Sequence, residues 1–299
     1  MYELSPASFE RYIEVFGGGG WVLFGRPPDP KVMEVYNDFN SNLTNLYACV
    51  KNHTMEFLRQ LGFLPLNGRD EFLVLRRFLE GQEFNRTFLA QELELARHNL
   101  PPLEFEELRS LLLERAAPGD VQRAAAFYKV IRYSYGSGCT SFGCQPFDVR
   151  KTFHLIWQAA DRLANTVIEN KDFKALIRQY DRENAFLYCD PPYFMTEDHY
   201  EVEFPRQDHV RLREALAGCQ GKWMVSYNDC DYIRGLYGGC HITAVSRINN
   251  LAQRYDRGCE FPEVIITNYD PQERKKWGPQ QMNLFSAGLL GGETEDGGN

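Results

Sequence analysis

Asp190, Pro191, Pro192 and Tyr193 follow directly on the apolar run Ala185-Phe186-Leu187-Tyr188-Cys189. That run has the length and composition of a strand buried on both faces. Neither proline can donate a ladder hydrogen bond, so the strand must stop there. Asp190 is thereby predicted at the carboxyl end of a buried strand, where open α/β sheets place their ligand crevices. A carboxylate, a stiff proline carbonyl and an aromatic face in succession are suited to gripping a planar base by its amino group.

A second group of residues with chemical potential lies near the start. Tyr12, Ile13, Val15 and Phe16 read as a first strand, Arg11 to Phe16, which runs into Gly17-Gly18-Gly19-Gly20 and then Trp21-Val22-Leu23-Phe24. Strand, glycine turn and apolar helical start let backbone N–H groups approach a ligand closely. A glycine run in isolation is equally the mark of a flexible loop, and its place between two apolar runs is what favours the turn. Asp38 comes about twenty residues later, at the end of a second predicted strand, where nucleotide-binding folds hold ribose hydroxyls. It is otherwise the N-cap of a helix expected over Ser41 to Asn52.

The third group is cationic. Arg123, Lys129, Arg132, Arg150 and Lys151 occupy a stretch whose only acid after Val121 is Asp148. Between them run Tyr133, Tyr135 and Ser137, among glycines and small polar residues. Such a loop suits stacking on and hydrogen bonding to nucleic acid, although solvated helix faces and an ordinary surface loop have the same composition.

Alternating elements must position these groups. Strands are expected at Lys31 to Tyr36, Thr166 to Glu169, Ala185 to Cys189, Lys222 to Asp229, Cys240 to Val245 and Glu263 to Tyr269. Helices are expected at Val149 to Ala164, from Phe173 to Tyr180, and at Gln207 to Gly218. From His53 to Lys151 apolar residues recur near helical spacing, ending in a helix from Val121 to Ile131. Strands alternating with helices predict a mainly parallel sheet covered on both faces. The predicted division is a core of residues 1–52 and 152–274, a helical insertion at 53–151, and a flexible tail at 275–299.

Composition sets outer bounds. A chain of 299 residues with 43% hydrophobic and 25% charged residues has enough apolar side chain for a sizeable core. No apolar run is long enough to span a membrane, and Met-Tyr-Glu-Leu-Ser-Pro has no signal-peptide character. The eight cysteines include no C-x-x-C, so reduced intracellular thiols are expected and a metal site is not. The net charge of −8 does not advertise nucleic acid, which leaves the basic stretch as an island in an acidic protein.

Taken in order, the pieces resemble the Dam-type (D12 class) DNA adenine-N6 methyltransferases. The resemblance is carried by Tyr12-Ile-Glu-Val-Phe-Gly-Gly-Gly-Gly20, Asn37-Asp-Phe-Asn40, Asn170-Lys-Asp-Phe173, Tyr188-Cys-Asp-Pro-Pro-Tyr193, Val225-Ser-Tyr-Asn228 and Glu263-Val-Ile-Ile-Thr-Asn-Tyr269. It covers most of the chain, with His53 to Val121 matching only loosely. It implies a Rossmann-like α/β core with a mostly parallel seven-stranded sheet, an inserted, mainly helical target-recognition domain, and S-adenosylmethionine as methyl donor.

By motif position, Phe16 to Gly20 (Phe16, Gly17, Gly18, Gly19 and Gly20) would line the methionine end of the donor and Asp38 would take its ribose hydroxyls. Asp172 and Phe173 would contact its adenine, and Asp190 would border both donor and target. Asp190, Pro191, Pro192 and Tyr193 would hold a flipped adenine, with one amine hydrogen on Asp190, the other on the Pro191 carbonyl, and the ring on Tyr193. Aspartate at this position favours adenine over N4-cytosine and argues against protein-glutamine methylation. The DNA-facing set would be Arg123, Lys129, Arg132, Tyr133, Tyr135, Ser137 and Arg150. The resemblance also implies double-stranded DNA as partner. The expected place is the cytoplasm of a bacterium or a phage-infected host, and the oligomeric state is left open with a monomer favoured.

The family opens with a lysine- and glycine-rich motif ahead of its first strand, and Met1 to Phe9 contains no Gly-Gly-Lys. Part of the donor pocket is therefore expected to be missing or supplied by another segment. A non-catalytic DNA-binding relative and an enzyme acting on RNA stand as alternatives to the DNA methyltransferase. Near the end, Gln281, Met282, Leu284 and Phe285 resemble the short peptide that docks bacterial proteins on a sliding clamp; the same residues could instead tuck onto their own domain.

Overall fold

The computed structural model describes residues 2–63, 68–80, 119–135, 139, 141–143, 147–194, 204–248 and 260–271, with Glu94, Arg97, His98, Pro101 and Pro102. Seven strands form one sheet in the order β3-β2-β1-β4-β5-β7-β6. They are β1 (Arg11–Glu14), β2 (Met33–Asn37), β3 (Thr166–Glu169), β4 (Ala185–Cys189), β5 (Lys222–Asn228), β6 (His241–Ile248) and β7 (Glu260–Thr267). Pairings from β3 through to β5 are parallel, whereas β7 runs antiparallel to both β5 and β6. The chain leaves β1 in one direction for β2 and later returns to its other side with β4, which makes the β1/β4 boundary the topological switch point.

Alternation along the strands assigns the two faces. Tyr12, Tyr36, Phe186, Tyr188, Met224 and Ile265 point to one side. Ile13, Val35, Leu187, Cys189, Val225, Tyr227, Val264 and Ile266 point to the other. All five residues of β4 are buried, as its unbroken apolar run requires.

Helices α1 (Trp21–Gly25), α2 (Ser41–Asn52), α3 (Thr54–Phe63), α5 (Val121–Tyr133) and α6 (Phe153–Leu163) cover the first face through Leu23, Leu46, Phe57, Leu61, Ala124, Phe127, Ile156 and Leu163. Helices α7 (Phe173–Tyr180), α8 (Arg206–Ala217) and α9 (Asp231–Leu236) cover the second through Leu176, Leu212, Leu216 and Ile233. Helix α4 (Arg69–Glu80) lies outside α5, with Phe72 against Val130 and Tyr133. Helices α3 and α5 thus share the sheet-side core with α2 and α6. A buried asparagine ties them further: Asn45 of α2 donates to the Asp120 carbonyl and accepts from the Asp120 N–H.

Several local expectations shift. Val149–Thr152 forms a 3-10 turn before α6. Helix α9 follows Asp229 without a periodic signal in the sequence, since it is short and carries a glycine. The residue that caps α2 is Asn40, whose side chain accepts from the N–H groups of Asn42 and Leu43. The described cysteines are free thiols, with Cys49 and Cys189 buried. No helix among the described residues is long and apolar enough to cross a membrane.

Candidate active site

The loop after β1 is shaped by its glycines. The Gly17 N–H donates to the Asn37 carbonyl at 2.7 Å, and a Cβ on Gly17 would fall 2.1 Å from the buried Tyr36 ring. Gly18 and Gly20 adopt φ of +48° and +65°, the left-handed region that glycine enters without strain. The Tyr36 hydroxyl donates to the Gly18 carbonyl at 2.7 Å, and the Gly18 N–H donates to Asp38 Oδ2 at 2.9 Å. Asp38 Oδ1 accepts from the Asn40 N–H at 2.7 Å.

Asn37 is a staple that the sequence pattern does not reveal. It is buried, and its amide donates to the carbonyls of Val15 and Lys171 while its oxygen accepts from the Lys171 N–H. One side chain thereby ties together the segments that follow β1 and β3 with the end of β2. Nothing in its sequence context distinguishes it from its neighbour Asp38.

Asp172 caps α7, with Oδ1 accepting from the Lys174 N–H at 3.0 Å and Oδ2 from Arg211 at 3.1 Å. Arg211 also lies over the Phe173 ring, 4.9 Å from its centroid. Phe173 packs against Phe16 and Phe204, with centroids 5.6 and 5.7 Å away.

Asp190 is exposed where β4 ends, and the following Pro191 is buried. Its Oδ1 accepts from the Ser226 hydroxyl at 2.6 Å. Tyr193 leans on Tyr227 with ring centroids 6.4 Å apart, and Phe194 stacks on Tyr232 at 4.3 Å. Asn228 holds this turn by donating to the Phe194 carbonyl.

Beneath the switch point Glu14 is buried and accepts from the Tyr12 hydroxyl at 2.8 Å. Burial pushes its carboxyl up to about 8, offset in part by the Tyr12 and Leu23 donors, and the Asp190 charge adds to the rise.

A cleft of about 690 Å³ runs along these carboxyl ends. Phe16, Gly18, Gly19, Asp38, Asp172, Phe173, Asp190 and Pro192 all line it. Arg132 lines the same cleft from the helical side, its guanidinium 4.4 Å from the centroid of the Phe147 ring.

The expected DNA-facing set divides. Arg123 is only 4% exposed: it bonds Asn42 Oδ1 at 2.5 Å and the Leu79 carbonyl at 2.6 Å. Lys129 and Tyr133 are equally buried, and the Tyr133 hydroxyl donates to the Phe147 carbonyl. These three side chains are turned into the helical layer, where they cannot meet a phosphate. Arg150 and Tyr135 are exposed, and Arg150 pairs with Asp148 at 2.9 Å. Ser137 and the segment containing Gln281, Met282, Leu284 and Phe285 lie outside the described residues.

A sheet of this order, with one reversed strand and a cleft at the carboxyl ends of β1, β2 and β4, is the Rossmann-like methyltransferase fold. The model of the D12 class N6 adenine-specific DNA methyltransferase family matches residues 2–251, and the chain belongs to that family. It is 27% identical over 241 residues to Type II methyltransferase M.CviBI of Paramecium bursaria Chlorella virus NC1A, covering 78% of this chain and 79% of that one. It is 23% identical over 288 residues to Type II methyltransferase M1.LlaDCHI of Lactococcus lactis subsp. cremoris, covering 89% of each.

Proposed function

We propose that this DNA methyltransferase moves the methyl group of S-adenosylmethionine to the N6 amine of an adenine rotated out of duplex DNA. The observation that carries the reading is the convergence of three carboxylates, Asp38, Asp172 and Asp190, on one cleft with the open glycine loop.

The residues fit the donor. A Cβ on Gly18 would meet no protein atom within 4 Å, so the loop leaves space against its backbone. Asp38 lines the cleft with a carboxylate, an acceptor-only group of the kind that takes ribose hydroxyls. Asp172 lines the same cleft and would accept from an adenine amine, and Phe16 with Phe173 offers apolar surface to the ring. When bound, the donor supplies an electrophilic sulfonium methyl.

The work left to the chain is electronic and geometric. The lone pair of an adenine amine is delocalised into the ring, which makes it a poor nucleophile. Accepting one amine hydrogen on Asp190 and the other on the Pro191 carbonyl localises that pair towards the methyl. As the N–C bond forms, the bond between that methyl and sulfur breaks, leaving a neutral thioether. Positive charge meanwhile grows on N6 beside the Asp190 carboxylate, which accepts the released proton along that hydrogen bond and passes it to solvent. This is positioning with electrostatic stabilisation and no covalent enzyme intermediate. Unpairing the base costs roughly a few kcal/mol, offset in part by stacking on Tyr193.

Residues 53–151 are the target-recognition insertion in this reading, anchored to the core by α3 and α5. Arg132, Tyr135 and Arg150 are its DNA-facing side chains among the described residues.

Purified protein, labelled S-adenosylmethionine and duplex DNA test the reading. Label recovered as N6-methyladenine, reduced about 10²–10³-fold by Asp190→Asn, is the expected result. Absence of transfer to DNA by the parent chain overturns it.

A further inference from the structure

Strands β4 and β5 run parallel with Cys189 beside Val225, so the next pair outward is Asp190 and Ser226. The two strands differ at this point. Pro191 and Pro192 stop β4, whereas β5 continues to Asn228 and is paired on its other side with β7, Ser226 standing opposite Ile265. Ser226 is therefore fixed within the sheet, and it is 2% exposed. Asp190 lies just past the end of its ladder and is exposed to the cleft.

Their contact has a direction. An ionised carboxylate only accepts, so the Ser226 hydroxyl must donate to Asp190 Oδ1. The separation of 2.6 Å lies in the range of charge-assisted O–H···O⁻ bonds, and the Cys189 carbonyl at 3.4 Å is the weaker acceptor for the same proton. With that proton committed, Ser226 Oγ becomes the acceptor for the Tyr188 hydroxyl, 3.1 Å away and also buried. Burial first, and then the Asp190 charge, push the Tyr188 phenol well above its ordinary value, so its proton stays in place. The result is a one-way relay: Tyr188 O–H to Ser226 Oγ, and Ser226 O–H to Asp190 Oδ1.

We infer that Ser226 is a positioning residue for methyl transfer, holding the Asp190 carboxylate so that Oδ2 faces the target amine, with Tyr188 orienting the Ser226 hydroxyl from behind. This rests on the reading of Asp190 as the acceptor for that amine. The torsion that turns a carboxylate about Cβ–Cγ is broad and intrinsically unrestrained. An external donor is what makes one of its oxygens distinct from the other. Ser226 supplies that donor to Oδ1 from a strand paired on both sides.

The test compares Ser226→Ala, Ser226→Thr and Tyr188→Phe. Ser226→Ala is expected to lower kcat about 10–100-fold with KM for DNA and for the donor little changed, since a misoriented group costs rate more than binding. Ser226→Thr keeps the hydroxyl and is expected to recover most of that loss, with Tyr188→Phe lying between. Infrared spectra of the protein without substrate give an independent readout: the difference between parent and Ser226→Ala should contain a shifted carboxylate stretch that is absent when the same pair is compared in an Asp190→Asn background. An unshifted carboxylate band overturns the inference whether or not the chain methylates DNA. So does an unchanged kcat for Ser226→Ala in a parent that methylates adenine. A parent that shows the band shift but no methylation overturns the proposed reaction instead.

Discussion

Gly18 and Asp38 are joined directly, the glycine N–H donating to the carboxylate Oδ2 at 2.9 Å, so the loop after β1 is tied to the end of β2. Asp38→Ala removes that bond and the one from the Asn40 N–H together. Its expected effect is loss of S-adenosylmethionine affinity by at least about tenfold in calorimetry, with Asp38→Asn intermediate because one oxygen remains.

The neighbouring glycines should respond differently to alanine. At Gly17 the new methyl meets the Tyr36 ring, which is buried and held by its own bond to the Gly18 carbonyl. Overpacking of that kind costs about 1–3 kcal/mol, seen as a lower urea midpoint. At Gly18 the methyl meets no protein atom but enters the cleft, and the left-handed backbone adds about 1 kcal/mol of strain. Gly18→Ala should therefore lose donor binding out of proportion to its loss of stability.

Glu14 should impose a pH dependence on stability. Its folded carboxyl sits at about 8 against an ordinary 4.5. Below pH 4.5 both folded and unfolded forms are protonated and there is no cost. As pH rises towards 8 the unfolded chain ionises first, and the folded state loses stability relative to it. Glu14→Gln removes this dependence, so the stability of the variant relative to the parent should rise between about pH 5 and about pH 8 by a few kcal/mol. Denaturant titrations at the two pH values measure it.

Arg162 forms a bidentate pair with Glu34 at 2.5 and 2.9 Å, both side chains buried, and donates to the Leu23 carbonyl at 2.7 Å. The pair anchors α6 to β2 under α1. Arg162→Met leaves the Glu34 carboxylate to the Arg26 guanidinium at 3.9 Å and the Thr166 hydroxyl at 3.4 Å. It should cost up to about 3 kcal/mol, whereas Glu34→Leu with Arg162→Met should recover part of that loss. Thermal melts of the single and double variants complete the cycle.

The basic island should separate into two classes. Arg150→Ala and Arg132→Ala should weaken duplex binding and make the salt dependence shallower, by about one unit of slope for each phosphate no longer neutralised. Arg123→Ala should lower the melting temperature, because it leaves the Leu79 carbonyl and Asn42 without their donor. Binding titrations at two salt concentrations and a melt of each variant distinguish these outcomes.

Much of the cleft is legible from residue order because its features are local. Proline stops β4 at Asp190 whatever surrounds it, and a glycine run between apolar segments has few conformations that need four glycines. Those constraints place Phe16 to Gly20 and Asp190 at strand ends, the apolar run before Asp38 places that residue, and motif order adds Asp172 and Phe173. The sheet brings Phe16, Gly18, Gly19, the three aspartates and Phe173 to one cleft. Helix α2 is legible over its full extent, Ser41 to Asn52, although its cap is Asn40 and not the Asp38 that residue order offered.

Periodicity cannot say which long cationic side chains turn inward. Arg123 reaches partners distant in sequence, at Asn42 and Leu79, and only the packed helices bring them within bonding distance. The reversal of β7 between β5 and β6 is likewise a matter of pairing, to which an apolar run is indifferent. So is the approach of Ser226 to Asp190, made by the parallel register of β4 and β5. Residue order was enough to say where strands end and which chemical groups stand there. What touches those groups was left to the folded chain, because contact between residues far apart in sequence depends on strand order and register, which no local preference encodes.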